Sequence, residues 1–186
     1  MKTIQILRTL INILFYTLIT VFSIGFVFYL FLFLFPELLP APLGGFSMLF
    51  SSMFSWKMYI APLSSVVNFV LLIVAIFYLR KCISSFLNSD FYNEDVTTNF
   101  KKAGNLFIFI GVSTIIIQLF AILYFQNLAE NMIQMKTNFL ITLSNILAAT
   151  IDLKSVISII IGLFFLLFSK IFENARVLKQ ENDLTI

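Results

Sequence analysis

The sequence predicts an all-α polytopic membrane protein, with four transmembrane helices and both termini cytoplasmic, built as a single domain. Three observations carry that expectation. Hydrophobic residues make up 60% of the 186-residue chain and charged residues only 11%, against about 25% charged in an average soluble domain. So little polar surface cannot cover a water-facing shell. Four apolar runs are each long enough, at about 20 residues, to cross a hydrocarbon core of about 30 Å, and the positive charges sort between the two sides of those runs.

Span 1 is expected over residues 9–35, inside the uncharged run between Arg8 and Glu37. Lys2 and Arg8 precede it as in a signal peptide, but the apolar stretch far exceeds the roughly 7 to 15 residues of a signal h-region, so an uncleaved anchor is expected. Span 2, over 58–79, lies between Lys57 and Arg80, with Pro62 in the first turn, where a missing N–H costs nothing. Span 3, over 103–126, falls in the run from Ala103 to Ala129. Span 4 has to include charge, because only 15 uncharged residues separate Lys154 from Lys170. Taken over 151–171 it reaches about 31 Å, with Asp152 and Lys154 at one face and Lys170 at the other, where long side chains snorkel to the headgroups. Residues 172–186 form a cytoplasmic tail.

Two further runs invite miscounting. The segment 38–56 is uncharged but holds Pro40, Pro42, Gly44 and Gly45, which predicts an interfacial or re-entrant loop with Trp56 at headgroup depth. Between Gln126 and Thr150, Met132, Met135, Phe139, Leu143 and Ile146 recur at helical spacing among polar residues. That pattern predicts an amphipathic surface helix or an extension of span 4. With four spans and a cytoplasmic N-terminus, Lys2, Arg8, Arg80, Lys81, Lys101, Lys102, Lys170, Arg176 and Lys179 lie inside, and Lys57, Lys136 and Lys154 outside. This is the bias the positive-inside rule requires.

Residues able to do chemistry are few. There is no His and one Cys, Cys82, beside Arg80 and Lys81; cationic neighbours activate a thiol, although an ordinary free thiol is the simpler account. Spans 1 to 3 hold no ionisable carboxylate or amine, and their polar residues include Asn12, Asn68, Ser113, Thr114 and Gln118. Asn12, Asn68 and Gln118 form a candidate polar seam for a small solute; interhelical hydrogen bonding is the simpler reading. Ser158 with Gly162, and Gly104 with Gly111, are spaced for close helix approach within the monomer or in a homo-oligomer. In the inner loop, Asn93 is expected to cap a helix whose first turn holds Glu94 and Asp95, with Val96, Phe100, Ala103 and Phe107 as its apolar face. Capping accounts for these acidic residues better than a metal site with Asp90 does. No catalytic residue, cofactor site or metal site is read from the sequence, and its basic residues are explained by topology rather than by nucleic acid.

The chain ends in Lys179-Gln180-Glu181-Asn182-Asp183-Leu184-Thr185-Ile186 after Ala175 and Leu178. Asn182 can end the helix, and Leu184, Thr185 and Ile186 favour an extended form that would add to a partner's sheet edge or dock against the inner loop near Phe91, with a frayed end of no role as an equal alternative. An A-x-x-L-K-x-E-N-D-L-T-I terminus directly after a last membrane span resembles the bacterial family of small four-span membrane proteins known as domain of unknown function 2975. The inner loop, with Phe91, Asn93, Val96 and Lys101-Lys102, is similar to that family's pattern, and the resemblance is read from span 1 to Ile186. It implies a bacterial inner-membrane location and no activity. Family members' genes often neighbour one for a small helix-turn-helix repressor, which implies a cytosolic regulatory protein as partner.

The charge-free spans, the absence of His and the cytoplasmic ending point to a non-enzymatic regulatory or interaction protein embedded in the lipid bilayer. The second reading is a small transporter, channel subunit or immunity-type protein using the polar seam; a membrane enzyme ranks third, with Glu37, Glu130 and Asp152 its only outer-face acids. Cysteine accessibility tests the topology. A Cys placed at Ser47 should label in intact cells, and native Cys82 only after permeabilisation; the reverse pattern would overturn the orientation.

Overall fold

The computed structural model describes residues 2–34, 60–87, 93–133, 139–150 and 152–184. They form five helices: α1 (Lys2–Leu34), α2 (Ile60–Leu87), α3 (Glu94–Ile133), α4 (Phe139–Thr150) and α5 (Leu153–Leu184). Four stretches, Lys2–Phe28, Pro62–Phe86, Glu94–Tyr124 and Thr142–Leu184, are long and apolar enough to cross a membrane. The segment 38–56, Asp90, Phe91, Thr185 and Ile186 lie outside the described residues.

Helix α3 is the central element. Its neighbours α2 and α5 both run antiparallel to it, α4 rests against it, and α1 packs on α2. The α3–α5 contact is the most extensive and has an identifiable cause. A Cβ built on Gly104 would stand 2.8 Å from the carbonyl oxygen of Gly162, and one on Gly162 2.7 Å from that of Gly104. A Cβ on Gly111 would stand 2.8 Å from the Ser155 carbonyl oxygen. Only glycine lets the two backbones come this close. Hydroxyl groups then bond across the seam, Ser158 Oγ donating to Phe107 O at 2.8 Å and Ser169 Oγ to Thr97 O at 2.8 Å. The small residues recur every seven positions on both helices, Thr97, Gly104 and Gly111 against Ser169, Gly162 and Ser155. That is the repeat of a left-handed pair.

The driest part of the molecule lies between α2 and α3. Ala75, Ile76, Leu79 and Cys82 of α2 are buried with Val96, Phe100, Ala103 and Phe107 of α3, so the apolar face read after the Asn93 cap is the core face. The cap itself is formed: Asn93 Oδ1 accepts from the Asp95 N–H at 3.1 Å and its carbonyl from the Val96 N–H at 3.1 Å. Phe86, Phe165 and Phe172 close this end, with Phe100 and Phe172 stacked at 5.7 Å.

The structure adds three features to that reading. The helices outrun the spans: α2 continues past 79 to Leu87, α3 starts at Glu94 and runs past 126 to Ile133, and α5 runs past 171 to Leu184. Hydropathy locates the apolar part of a helix, whereas helix ends depend on caps and breakers. The stretch 126–150 is divided, its first part prolonging α3 and its last part forming α4, which Asp152 separates from α5. Cys82 is fully buried and its thiol donates to the Val96 carbonyl oxygen at 3.7 Å. The cations beside it in sequence sit elsewhere, Arg80 over the Phe15 and Tyr16 rings and Lys81 over Phe77. Consecutive helical residues are about 100° apart, so sequence adjacency here does not produce an activated thiol, and accessibility labelling at this end of α2 and α3 requires an introduced cysteine such as one at exposed Lys101.

Gly162→Ala should destabilise the protein by about 1 to 3 kcal/mol through overpacking. Gly25→Ala, where a Cβ meets nothing within 4 Å, should be neutral or slightly stabilising. Denaturant titration of the two variants beside the parent checks the pair, and equal stabilities would disprove the close crossing.

Candidate functional site

The polar residues of α2 and α3 meet in one place. Asn68 of α2 uses both ends of its amide: Nδ2 donates to Thr114 Oγ1 at 3.2 Å, and Oδ1 accepts from Ser113 Oγ at 2.9 Å. Thr114 also donates back to Ile110 O at 2.7 Å, as hydroxyls in apolar helices do. Beside this cluster lies a groove of about 330 Å³, whose walls include Asn68, Phe69, Leu72, Thr114, Ile117 and Gln118.

Gln118 joins the groove to α5. Its Nε2 donates to Asp152 Oδ2 at 3.4 Å, and the same oxygen accepts from Ser155 N at 3.3 Å and Ser155 Oγ at 3.1 Å. Asp152 is therefore the N-cap of α5, fixed there because a carboxylate satisfies the free N–H groups of a first turn. The other end of the Gln118 amide, Oε1, is buried with no hydrogen-bond partner.

Of the three seam residues, Asn68 and Gln118 share this groove and Asn12 does not. Phe22 of α1 stacks on Phe69 at 5.7 Å, whereas Tyr16 meets Arg80. Asn12 is ten residues, about 15 Å of helix, from the level of Phe22, toward the end of α1 that packs near Arg80. The sequence offers an amide side chain in each of these spans, but antiparallel threading sets their depths.

The tail is also corrected. Glu181, Asn182, Asp183 and Leu184 belong to α5, so Asn182 does not end the helix. No Gly or Pro interrupts 163–184, and Lys179, Gln180 and Glu181 are good helix formers. Ser169 bonded to Thr97, Phe172 stacked on Phe100, and an ion pair between Arg176 Nη1 and Glu94 Oε2 at 3.2 Å hold this stretch to α3. Beyond them Val177, Leu178 and Leu184 are exposed, Leu184 at 87%. Sequence reasoning overlooked Ser155, Ser169 and Thr97 as seam residues; their seven-residue spacing around the glycines was the available signal. Among the described residues, no three acidic or thiol groups converge as a metal site would require.

A family model described as Protein of unknown function (DUF2975) matches residues 51–186. The chain belongs to this family. The match takes in α2 to α5 and leaves α1 outside, so it is shorter than the resemblance read from span 1 onward. No curated protein and no solved structure matches the chain.

The Asn68–Ser113 bond should show in a double-mutant cycle. Asn68→Ala and Ser113→Ala are expected to couple by about 0.6 kcal/mol, the average for interhelical hydrogen bonds in a membrane, and strictly additive unfolding energies would deny the contact.

Proposed function

We propose that this chain is a non-enzymatic interaction protein of the bacterial inner membrane, with both termini cytoplasmic, which uses the end of α5 to hold a cytosolic regulatory protein. One observation carries the reading: α5 continues without a break to Leu184. The extension past residue 171 is about 20 Å long. Anchored by Ser169 and Arg176, it presents Val177, Leu178 and Leu184 outward. An apolar set on a rigid helix suits helix-in-groove recognition, in which a few anchors supply most of the affinity. The orientation is supported by the nine inside cations against three outside.

A second reading, a transporter or channel subunit, draws on the groove beside Asn68. That groove follows α2 over 65–72 and α3 over 110–118, about 12 Å of helix against a core of about 30 Å. By itself it suits holding a molecule better than passing one across.

Recovery of partners by cross-linking in native membranes tests the interaction reading. Leu178→Glu combined with Leu184→Glu should lower recovery of a cytosolic partner about tenfold or more, with membrane levels and thermal stability unchanged. Equal recovery would rule out the α5 end as the handle.

A further inference from the structure

We infer that Arg80, Lys81 and Lys102 form a binding site for the phosphate headgroup of an anionic phospholipid, at the level where the apolar runs of α2 and α3 end. The three cations stand over one continuous belt of rings. Phe15 and Tyr16 of α1 are in contact at 5.7 Å, Phe15 meets Phe77 of α2 at 6.2 Å, and Phe77 meets Tyr78 at 5.9 Å. Arg80 lies 5.3 Å from the centroids of both Phe15 and Tyr16, Lys81 4.9 Å from that of Phe77, and Lys102 of α3 5.4 Å from that of Tyr78. Three helices thus build one patch with three positive charges.

Among the described residues no carboxylate neutralises it: the ion pairs there join Glu173 to Lys170 and Glu94 to Arg176, both toward α5. The nearest acidic residue to Lys102 along α3 is Asp95, seven residues or about 10 Å of helix away, on the side opposite the apolar run. Ring faces attract a cation but carry no net charge, so repulsion among the three is relieved only by an anion. Hydrogen bonding points the same way. Arg80 gives one N–H to the Tyr16 hydroxyl at 3.4 Å, and a guanidinium has five to give. Phosphate oxygens suit the others, because charge-assisted bonds from Arg and Lys are the strong ones.

Position favours a lipid over a soluble anion. Arg80 and Lys81 close the uncharged run that begins at Met58, and Lys102 directly precedes the one that begins at Ala103, which is the depth of headgroups. Leu63, Val66, Val70 and Phe77 are exposed on α2, and their spacing of three, four and seven residues puts them on one helix face. Lys81, four residues further and also exposed, ends that face. An acyl chain lying along it has its phosphate at Lys81. A zwitterionic head would bring an ammonium group to a patch already positive, so the patch favours a head with net negative charge. The site is separate from the end of α5, and the inference rests neither on the partner-binding reading nor on which side of the membrane this end faces.

The test titrates the full chain in detergent micelles with phosphatidylglycerol or with phosphatidylcholine of the same acyl chains, and reads retained lipid by native mass spectrometry. The parent should retain phosphatidylglycerol about tenfold better. Arg80→Gln combined with Lys81→Gln and Lys102→Gln should lower that retention about tenfold or more, whereas Lys101→Gln with Lys170→Gln and Lys179→Gln, which removes the same charge, should change it less than about twofold. Equal retention of the two lipids by the parent, or equal loss in the two triple variants, would overturn the site. Displacement by inorganic phosphate or by soluble polyglutamate at the lipid's own concentration would assign the patch to a soluble anion or an acidic protein, and overturn it too. Should the first triple variant fail to fold, Lys81→Gln with Lys102→Gln, both at exposed positions, keeps the Arg80 contacts with α1; unchanged retention in that variant is equally fatal.

Discussion

Everything in this molecule is arranged around the approach of α3 to α5 at Gly104, Gly111 and Gly162. Between helices whose outer faces carry Leu, Ile and Phe, an apolar solvent offers no hydrophobic force for association, and packing with hydrogen bonding has to supply it. The glycines remove the side chains that would hold the backbones apart, and the gain is a long strip of close contact. It also brings Ser158 and Ser169 near enough to reach main-chain carbonyls of α3. A hydroxyl bonded to the neighbouring helix adds direction to a contact that dispersion alone would leave free to slide. The register so fixed places Asp152 beside Gln118 at one end and Arg176 beside Glu94 at the other.

The remaining helices are attached with decreasing firmness. Helix α2 is joined to α3 by a dry core at one end and by the Asn68 amide further along. Helix α1 meets α2 through ring contacts, Phe15 with Phe77 and Phe22 with Phe69, and through Arg80 lying over Phe15 and Tyr16. None of its most apolar window is buried. The family match begins after α1, so the part of the chain the family model covers is also the part with glycine seam, dry core and capped helix starts.

Much of this was legible in the residues. Uncharged runs revealed the four long apolar helices because hydropathy measures transfer into lipid directly. The Asn93 cap with its 96, 100, 103, 107 face was legible because both signals are local. What escaped depended on three-dimensional placement. Asn12 looked like a companion of Asn68 and Gln118 until antiparallel threading set its depth. Cys82 is the ordinary free thiol its sequence suggests, but its burial was not legible: the helical rotation between neighbours turns it away from Arg80 and Lys81 into the core. The continuation of α5 through Asn182 was missed because a helix-ending residue acts only where the following residues favour leaving the helix.

A regularity of α3 gives Gln118 its distinct position. Successive residue pairs one heptad apart, Val96 and Thr97, Ala103 and Gly104, Ile110 and Gly111, divide their duties: the first of each faces α2 and the second faces α5. Neighbouring residues are about 100° apart on a helix, so the repeat lays two adjacent seams along one helix, and the α5 seam demands a small residue each time. The next pair is Ile117 and Gln118. Ile117 keeps the pattern by lining the α2 groove, but Gln118 breaks it with a long polar side chain where Thr or Gly stood before. The helices tolerate it because α5 begins there and Asp152 accepts the amide. Departures from a local rule tend to mark strained or functional positions, and this one lies where both seams end, with one amide atom bonded to the cap of α5 and the other buried and unmatched.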